Sequence, residues 1–145
     1  MPAEPAKTTA NIIPCLRYQD AHATIEWLCT AFGFQKRAVY ADEQMVHHAE
    51  LTFGNGMVML GSNVESEFGK LTALAAEVGG RGTQSPYIIV ADADAHHAQA
   101  IAHGAKVVIP LKTEDYGGRG YSCLDPEGNL WTFGTYDPWT VKPQG

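Results

Sequence analysis

Apolar and polar positions along the chain fall into two rounds of one order. Asn11–Tyr18 (NIIPCLRY) is an apolar, β-branched run that predicts a strand. Asp20 follows as a helix N-cap. From Ala21 to Phe32 the residues Ile25, Leu28, Cys29 and Phe32 recur at helical spacing, giving one core-facing stripe. Gly33 is placed to end that helix in a left-handed turn. Gln35–Ala41, Val46–Phe53 and Met57–Ser62 predict three more strands, the last two joined across Asn55-Gly56, the strongest short hairpin signal. The second round begins at Ser85–Ala91 (SPYIIVA). Asp94-Ala95-His96-His97 then starts a helix over 94–103 that stops at Gly104, and strands follow over 106–111, 119–124 and 129–136. The last two turn at Asp125-Pro126-Glu127-Gly128-Asn129. Gly56 and Gly128 are 72 residues apart, a period too long for a solenoid and suited to two stacked modules.

The organisation expected is a lead over 1–10 without order, a first module over 11–62, a weakly patterned link over 63–84, a second module over 85–136 and a polar tail over 137–145 carrying Trp139. A short helix over Leu71–Val78 is compatible with the link. The fold class is α+β, two βαβββ modules whose curled mixed sheets enclose a cleft with the helices outside.

Strand alternation sorts the first hairpin into two faces. With Gly54 and Met57 flanking the turn, Phe53 faces Val58 and Leu51 faces Leu60 on the side suited to the helix. His48, Glu50, Thr52, Met57 and Met59 share the other side. In the last strand Trp131 and Phe133 face the helix, while Thr132, Gly134 and Tyr136 face away. Tyr121 and Cys123 receive no face, because the register of 119–124 is ambiguous.

Composition narrows the function classes. The chain has 145 residues, 45% hydrophobic and 18% charged, enough for one domain with a real core. No apolar run approaches the roughly 20 residues of a membrane helix, and MPAEPAKTTA has no signal-like apolar region, so a cytoplasmic location is expected. The net charge of −6, without a basic cluster, argues against nucleic acid and mildly favours cationic ligands. Cys15, Cys29 and Cys123 are odd in number and lack a CxxC spacing; they read as reduced, mostly buried thiols.

The order β-α-β-β-β occurring twice, with the strings LRYQDAHATIEWL, HAELTFGNGMVMLG and DPEGNLWTFGTY, resembles the vicinal-oxygen-chelate superfamily of glyoxalase I, bleomycin-resistance proteins, extradiol dioxygenases and fosfomycin-resistance enzymes. The likeness covers about residues 11–136. It implies inner sheet faces lining a cleft and a homodimer. It also implies four metal-ligand positions, which fall here on Ile13, Met59, Pro86 and Thr132. None is a His, Glu or Asp, and a thioether and a hydroxyl are poor ligands for Zn, Ni, Mn or Fe(II). A one-residue slip in the alignment brings in no strong ligand either. No metal and no cofactor is therefore expected.

The remaining candidates each carry two readings. His48 and Glu50 form either a polar island in a ligand pocket with Met57, Met59, Ile13 and Cys15, or a structural hydrogen bond. Met57 and Met59 are pocket wall or core filler. Arg17 binds an anionic group or pairs with Asp20. Tyr136 rims the pocket, and Thr132 shares its face. Tyr116–Tyr121, a glycine-rich run between tyrosines, is a cleft cover or an ordinary surface loop. His96, His97 and His103 read as solvated surface, and Cys15 as an inert thiol among apolar neighbours. The leading reading is a metal-free, dimeric protein that sequesters a cationic or aromatic small molecule, in the manner of bleomycin resistance. The alternatives are a metal-dependent glyoxalase-type lyase or extradiol-type dioxygenase, a metal-free enzyme using His48 as base, and a structural or regulatory domain with a filled cleft.

Overall fold

The computed structural model describes residues 3–143; the ends of the expected lead and tail, residues 1–2 and 144–145, lie outside them. The chain divides into two units, one ending at Leu74 and the next beginning at Ala75. Each is a βαβββ module, so the fold is α+β.

In the first unit, strand β1 (Cys15–Tyr18), helix α1 (Ala21–Trp27), β2 (Gln35–Ala41), β3 (Val46–Phe53) and β4 (Gly56–Ser62) build a sheet of order β1-β4-β3-β2. Strand β1 runs parallel to β4 and the rest are antiparallel. β1 is shorter than the apolar run suggested. Pro14 offers only its carbonyl, to Met59 N at 3.0 Å, and Ile12 is 89% exposed. Asp20 caps α1 as expected, its carboxylate accepting from Ala23 N at 3.1 Å. The helix does not stay α-helical to its end: Leu28–Phe32 widens into a π-type turn before Gly33, at φ 90°, closes it. Leu28, Ala31 and Phe32 are thereby turned into the core with Ile25.

The β3–β4 hairpin turns one residue earlier than Asn55-Gly56. Phe53 pairs with Gly56, so Gly54-Asn55 is the loop; Gly54 takes φ 57° while Asn55 keeps a negative φ. The pairing is Leu51 with Val58 and Ala49 with Leu60, displaced by two residues from the expected one. A displacement of two leaves every side chain on its face. Ala49, Leu51, Val58 and Leu60 are all buried against α1, and His48, Glu50, Thr52, Met57 and Met59 lie on the open side.

The second unit repeats this order with β5 (Tyr87–Ile89), α2 (Ala93–Ala102), β6 (Lys106–Thr113), β7 (Arg119–Leu124) and β8 (Leu130–Gly134), a sheet of order β5-β8-β7-β6 with β5 parallel to β8. Helix α2 is capped by Asp92, which accepts from Ala95 N at 3.0 Å, and not by Asp94. Asp92 stands 72 residues after Asp20, the interval that also separates Gly128 from Gly56. The link holds two 3-10 turns, Gly69–Leu71 and Ala75–Val78, in place of one short helix. In the tail, Asp137 accepts from Trp139 N at 2.9 Å and starts a 3-10 turn over Pro138–Thr140.

The core of this unit is aromatic. Trp131 and Phe133 are fully buried on the helix side, as expected, and Tyr121 and Cys123 join them from β7. His96 is not solvated surface. The only buried α2 residues are the small Ala93 and Ala100, so its imidazole fills the remaining space, 4.1 Å from the Phe133 ring. Its Nδ1 meets the Tyr121 hydroxyl at 2.7 Å, and His97 stands edge-on to the same ring.

Candidate functional site

Each sheet has an open face, and each open face gathers part of the candidate set. In the first unit Met59 is the central residue, flanked in register by Cys15 on β1 and Glu50 on β3. His48 Nε2 lies 3.0 Å from Glu50 Oε2, and Arg37 Nη1 lies 3.6 Å from Glu50 Oε1. The Tyr40 ring stacks on His48 at 6.1 Å. His48 is thus held in a paired cluster that spans β3 and the edge strand β2. Met57 sits opposite Thr52 on the same face. Ile13 is half-buried and precedes the strand. Arg17 makes no ion pair with Asp20; its guanidinium carbon sits 5.6 Å from the Phe68 ring centroid. Cys15 is exposed, contrary to the expectation of a buried thiol.

The second unit carries a pocket of about 230 Å³ on the open face of β5-β8-β7-β6. Its centre is Thr132, flanked in register by Tyr87 and Ser122, the positions that Cys15 and Glu50 hold around Met59. Thr132 Oγ1 and Ser122 Oγ are 2.7 Å apart. Gly120 and Gly134 pair across β7 and β8 and leave a floor without side chains. A Cβ at Gly134 would stand 2.7 Å from the Tyr87 hydroxyl, and one at Gly120 2.7 Å from the Phe133 carbonyl oxygen. Glycine is what lets the Tyr87 ring lie down on the sheet. Its hydroxyl donates to the Tyr136 carbonyl at 2.7 Å, and the Tyr136 ring meets Tyr116 edge-on at 5.1 Å. Lys112, Glu114 and Arg119 supply charge at the rim. Arg119 is anchored to Asp94, Nε to Oδ2 at 3.0 Å, which holds that carboxyl below the usual aspartate range.

Titration is perturbed in the pocket wall and in the core. Burial, then the neighbouring Tyr116 and Tyr136, push the Tyr87 hydroxyl up. Burial raises Tyr121 strongly, and burial followed by Asp125 raises the Cys123 thiol to about 12, so neither ionises in the physiological range.

Thr132 and Tyr136 of the expected site line this pocket; His48, Glu50, Met57, Met59, Cys15 and Arg17 lie on the first unit's open face. Tyr87, Ser122 and Lys112 were not singled out in the sequence. The interval of 72 was the available signal for two of them, since it carries Cys15 onto Tyr87 and Glu50 onto Ser122. It also carries Pro14, not Ile13, onto Pro86, and their carbonyls accept from the matching Met59 and Thr132 amides. The four positions at which the resemblance implies metal ligands do not fit one: the alkyl groups of Ile13 and Pro86, the Met59 thioether and the Thr132 hydroxyl make no set for a hard or borderline divalent cation. Among the described residues no three His, Cys, Asp or Glu side chains come together as ligands. Among the described residues no helix is long and apolar enough to cross a membrane.

A model of the Glyoxalase/Bleomycin resistance protein/Dioxygenase superfamily matches residues 10–133. An uncharacterised protein of Mycobacterium bovis is 29% identical over 122 residues, 83% of this chain and 80% of its own length. The crystal structure of TioX from Micromonospora sp. ML1 superposes with a TM-score of 0.68 at 32% identity, over 85% of this chain and 95% of that one. The fosfomycin resistance protein FosX of Mesorhizobium loti shares the fold with a TM-score of 0.62 at 15% identity, over 88% of this chain and 92% of its own. The chain belongs to the Glyoxalase/Bleomycin resistance protein/Dioxygenase superfamily.

Proposed function

We propose that this member of the superfamily is a cytoplasmic, homodimeric small-molecule-binding protein that sequesters an aromatic ligand without a metal ion. The observation that carries the reading is the pocket on the second sheet, walled by Tyr87, Tyr116 and Tyr136 over a glycine floor. The flat ring faces of three tyrosines favour a flat aromatic guest, held by stacking and edge contacts. Thr132 and Ser122 share a hydrogen bond and offer the remaining lone pairs and one rotatable proton to a polar substituent. Fragment-like capacity follows from the volume: about 230 Å³ lies below the roughly 300–1,000 Å³ of sites for drug-sized molecules, so one ring system enters and the rest of a larger ligand stays outside.

Bleomycin and a panel of aromatic antibiotics, titrated calorimetrically into protein stripped with EDTA, test this. Binding by at least one, weakened about tenfold by Tyr116→Ala or Tyr136→Ala, is the expected result. Failure of every compound to bind would remove the sequestering role, and binding that survives the double variant would move the ligand elsewhere. Light scattering tests the dimer, which has twice the 15.7 kDa chain mass.

A further inference from the structure

The first stretch of the link after β4 has the pattern of a helix without its fold. Val64, Phe68, Leu71 and Leu74 recur at steps of 4, 3 and 3 residues, the spacing of one helical face. Asn63 precedes them as a capping residue, and Glu65 and Glu67 fall in the first turn, where carboxylates suit a helix N-terminus. The fold holds instead a 3-10 turn over Gly69–Leu71, with Lys70 N donating to Ser66 O at 3.1 Å and Leu71 N to Phe68 O at 3.0 Å. The stripe stays open to water: Leu71 is 85% exposed and Phe68 50%. A helix over 64–74 is shorter than the roughly 12–15 residues that hold in water unaided, so it forms only where its stripe is covered.

Gly69 separates the two forms. Its φ is not positive, so the backbone itself admits an ordinary residue there. A Cβ would nevertheless collide with the Val64 carbonyl oxygen and stand 3.2 Å from Ser66 Oγ. The turn therefore requires glycine at 69, whereas a helix interior prefers alanine.

The surface within reach is the open face of β1 and β4. The link leaves β4 at Asn63, whose N donates to Tyr18 O at 2.9 Å. Phe68 has already folded back, its ring centroid 5.6 Å from the guanidinium carbon of Arg17. Rising 1.5 Å per residue, a helix carries Leu71 and Leu74 about 4.5 and 9 Å past Phe68. The next open-face residue of β1 is Cys15, about 6.6 Å from Arg17 along the strand, with Met59 beside it in register. Cys15 is exposed, so nothing has to be displaced there.

We propose that residues 64–74 are a strap that folds into an amphipathic helix pivoting on Phe68 and closes over Cys15 and Met59. The strap belongs to the first sheet, and its test does not depend on the tyrosine pocket.

Gly69→Ala tests it in the full chain. The collision excludes the turn, and the exchange favours a helix by a factor of about five. By NMR the Cα shifts of 64–74 should move to helical values while the β2 and β3 amides keep their wild-type positions. Labelling of Cys15 by a thiol-disulfide reagent should slow by at least about fivefold, the same factor, and recover when Leu71→Asp is added. Wild-type protein should show the same helical shifts as a minor state, populated on the order of 1%, by saturation-transfer exchange. Turn-like shifts in a folded Gly69→Ala variant overturn the proposal, and so does a helix that leaves Cys15 labelling unchanged. If that variant does not fold, absence of the helical minor state in wild type overturns it.

Discussion

Replacing Asp125 by alanine is the most informative test of how the DPEGN turn serves the second unit. Asp125 is 4% exposed, and its carboxylate takes four donors. Oδ1 accepts from Glu127 N and Asn129 N, each at 3.0 Å, and from Asn129 Nδ2 at 3.4 Å, while Oδ2 accepts from Trp131 Nε1 at 3.0 Å. Trp131 is fully buried, so its indole N–H has no route to water once the carboxylate is gone. That orphan alone costs roughly 1–3 kcal/mol, and the two turn amides, which are half-exposed and can be rehydrated, add about 0.5–1.5 kcal/mol each. The expected loss is therefore about 2–6 kcal/mol, a large share of the roughly 5–15 kcal/mol that holds a domain together. Equilibrium urea unfolding, followed by fluorescence and circular dichroism, measures it. Asp125→Asn should fall between wild type and alanine, because an amide retains one acceptor but turns a donor toward donors. A loss below about 1 kcal/mol in Asp125→Ala, with an unchanged denaturant slope, would refute the assignment of this carboxylate as the tie between turn and core.

Three further outcomes follow from named geometry. Asp92→Ala should cost about 1 kcal/mol as a lost N-cap, and Asp94→Asn less, since Asp94 lies in the first turn and serves Arg119; thermal melts of both variants check which aspartate caps α2. The Asp94 midpoint is depressed by Arg119, so the pair's contribution is present above the ordinary aspartate value and is lost as pH falls through the lowered one; carbon NMR titration should find it below the usual range in wild type and back within it in Arg119→Gln. Native protein treated with a thiol-disulfide reagent at pH 8 should label Cys15 first and Cys123 only on unfolding, because Cys15 is exposed while Cys123 is buried and raised to about 12; a fast phase that survives Cys15→Ser would contradict the exposure.

The period-2 alternation made much of this fold legible. Leu51, Val58 and Leu60 could be placed on the core face even though the hairpin turn was assigned one residue late, because the error moved the pairing by two and left each side chain on its side. The second helix was harder. The string Ala91-Asp92-Ala93-Asp94 holds two equivalent capping residues, and the choice between them is made by how far β5 runs before the chain must turn, which no local signal encodes. His96 was misjudged for a related reason: a helix that presents mainly alanines to its sheet leaves room for an imidazole, and the volume left over is a tertiary quantity. The site divided along the same line. Thr132 and Tyr136 fall on one face by the alternation over 129–136, whereas the pocket they share with Tyr87 depends on two glycines, Gly120 and Gly134, meeting across strands whose register the apolar pattern of 119–124 leaves open.

The two modules carry different side chains at matching backbone positions. Around Met59 stand a thiol and a carboxylate; around Thr132 stand a phenol and a hydroxyl. The buried parity of the strands and the aspartate caps carry the architecture, while the open parity has been left free to differ between the halves.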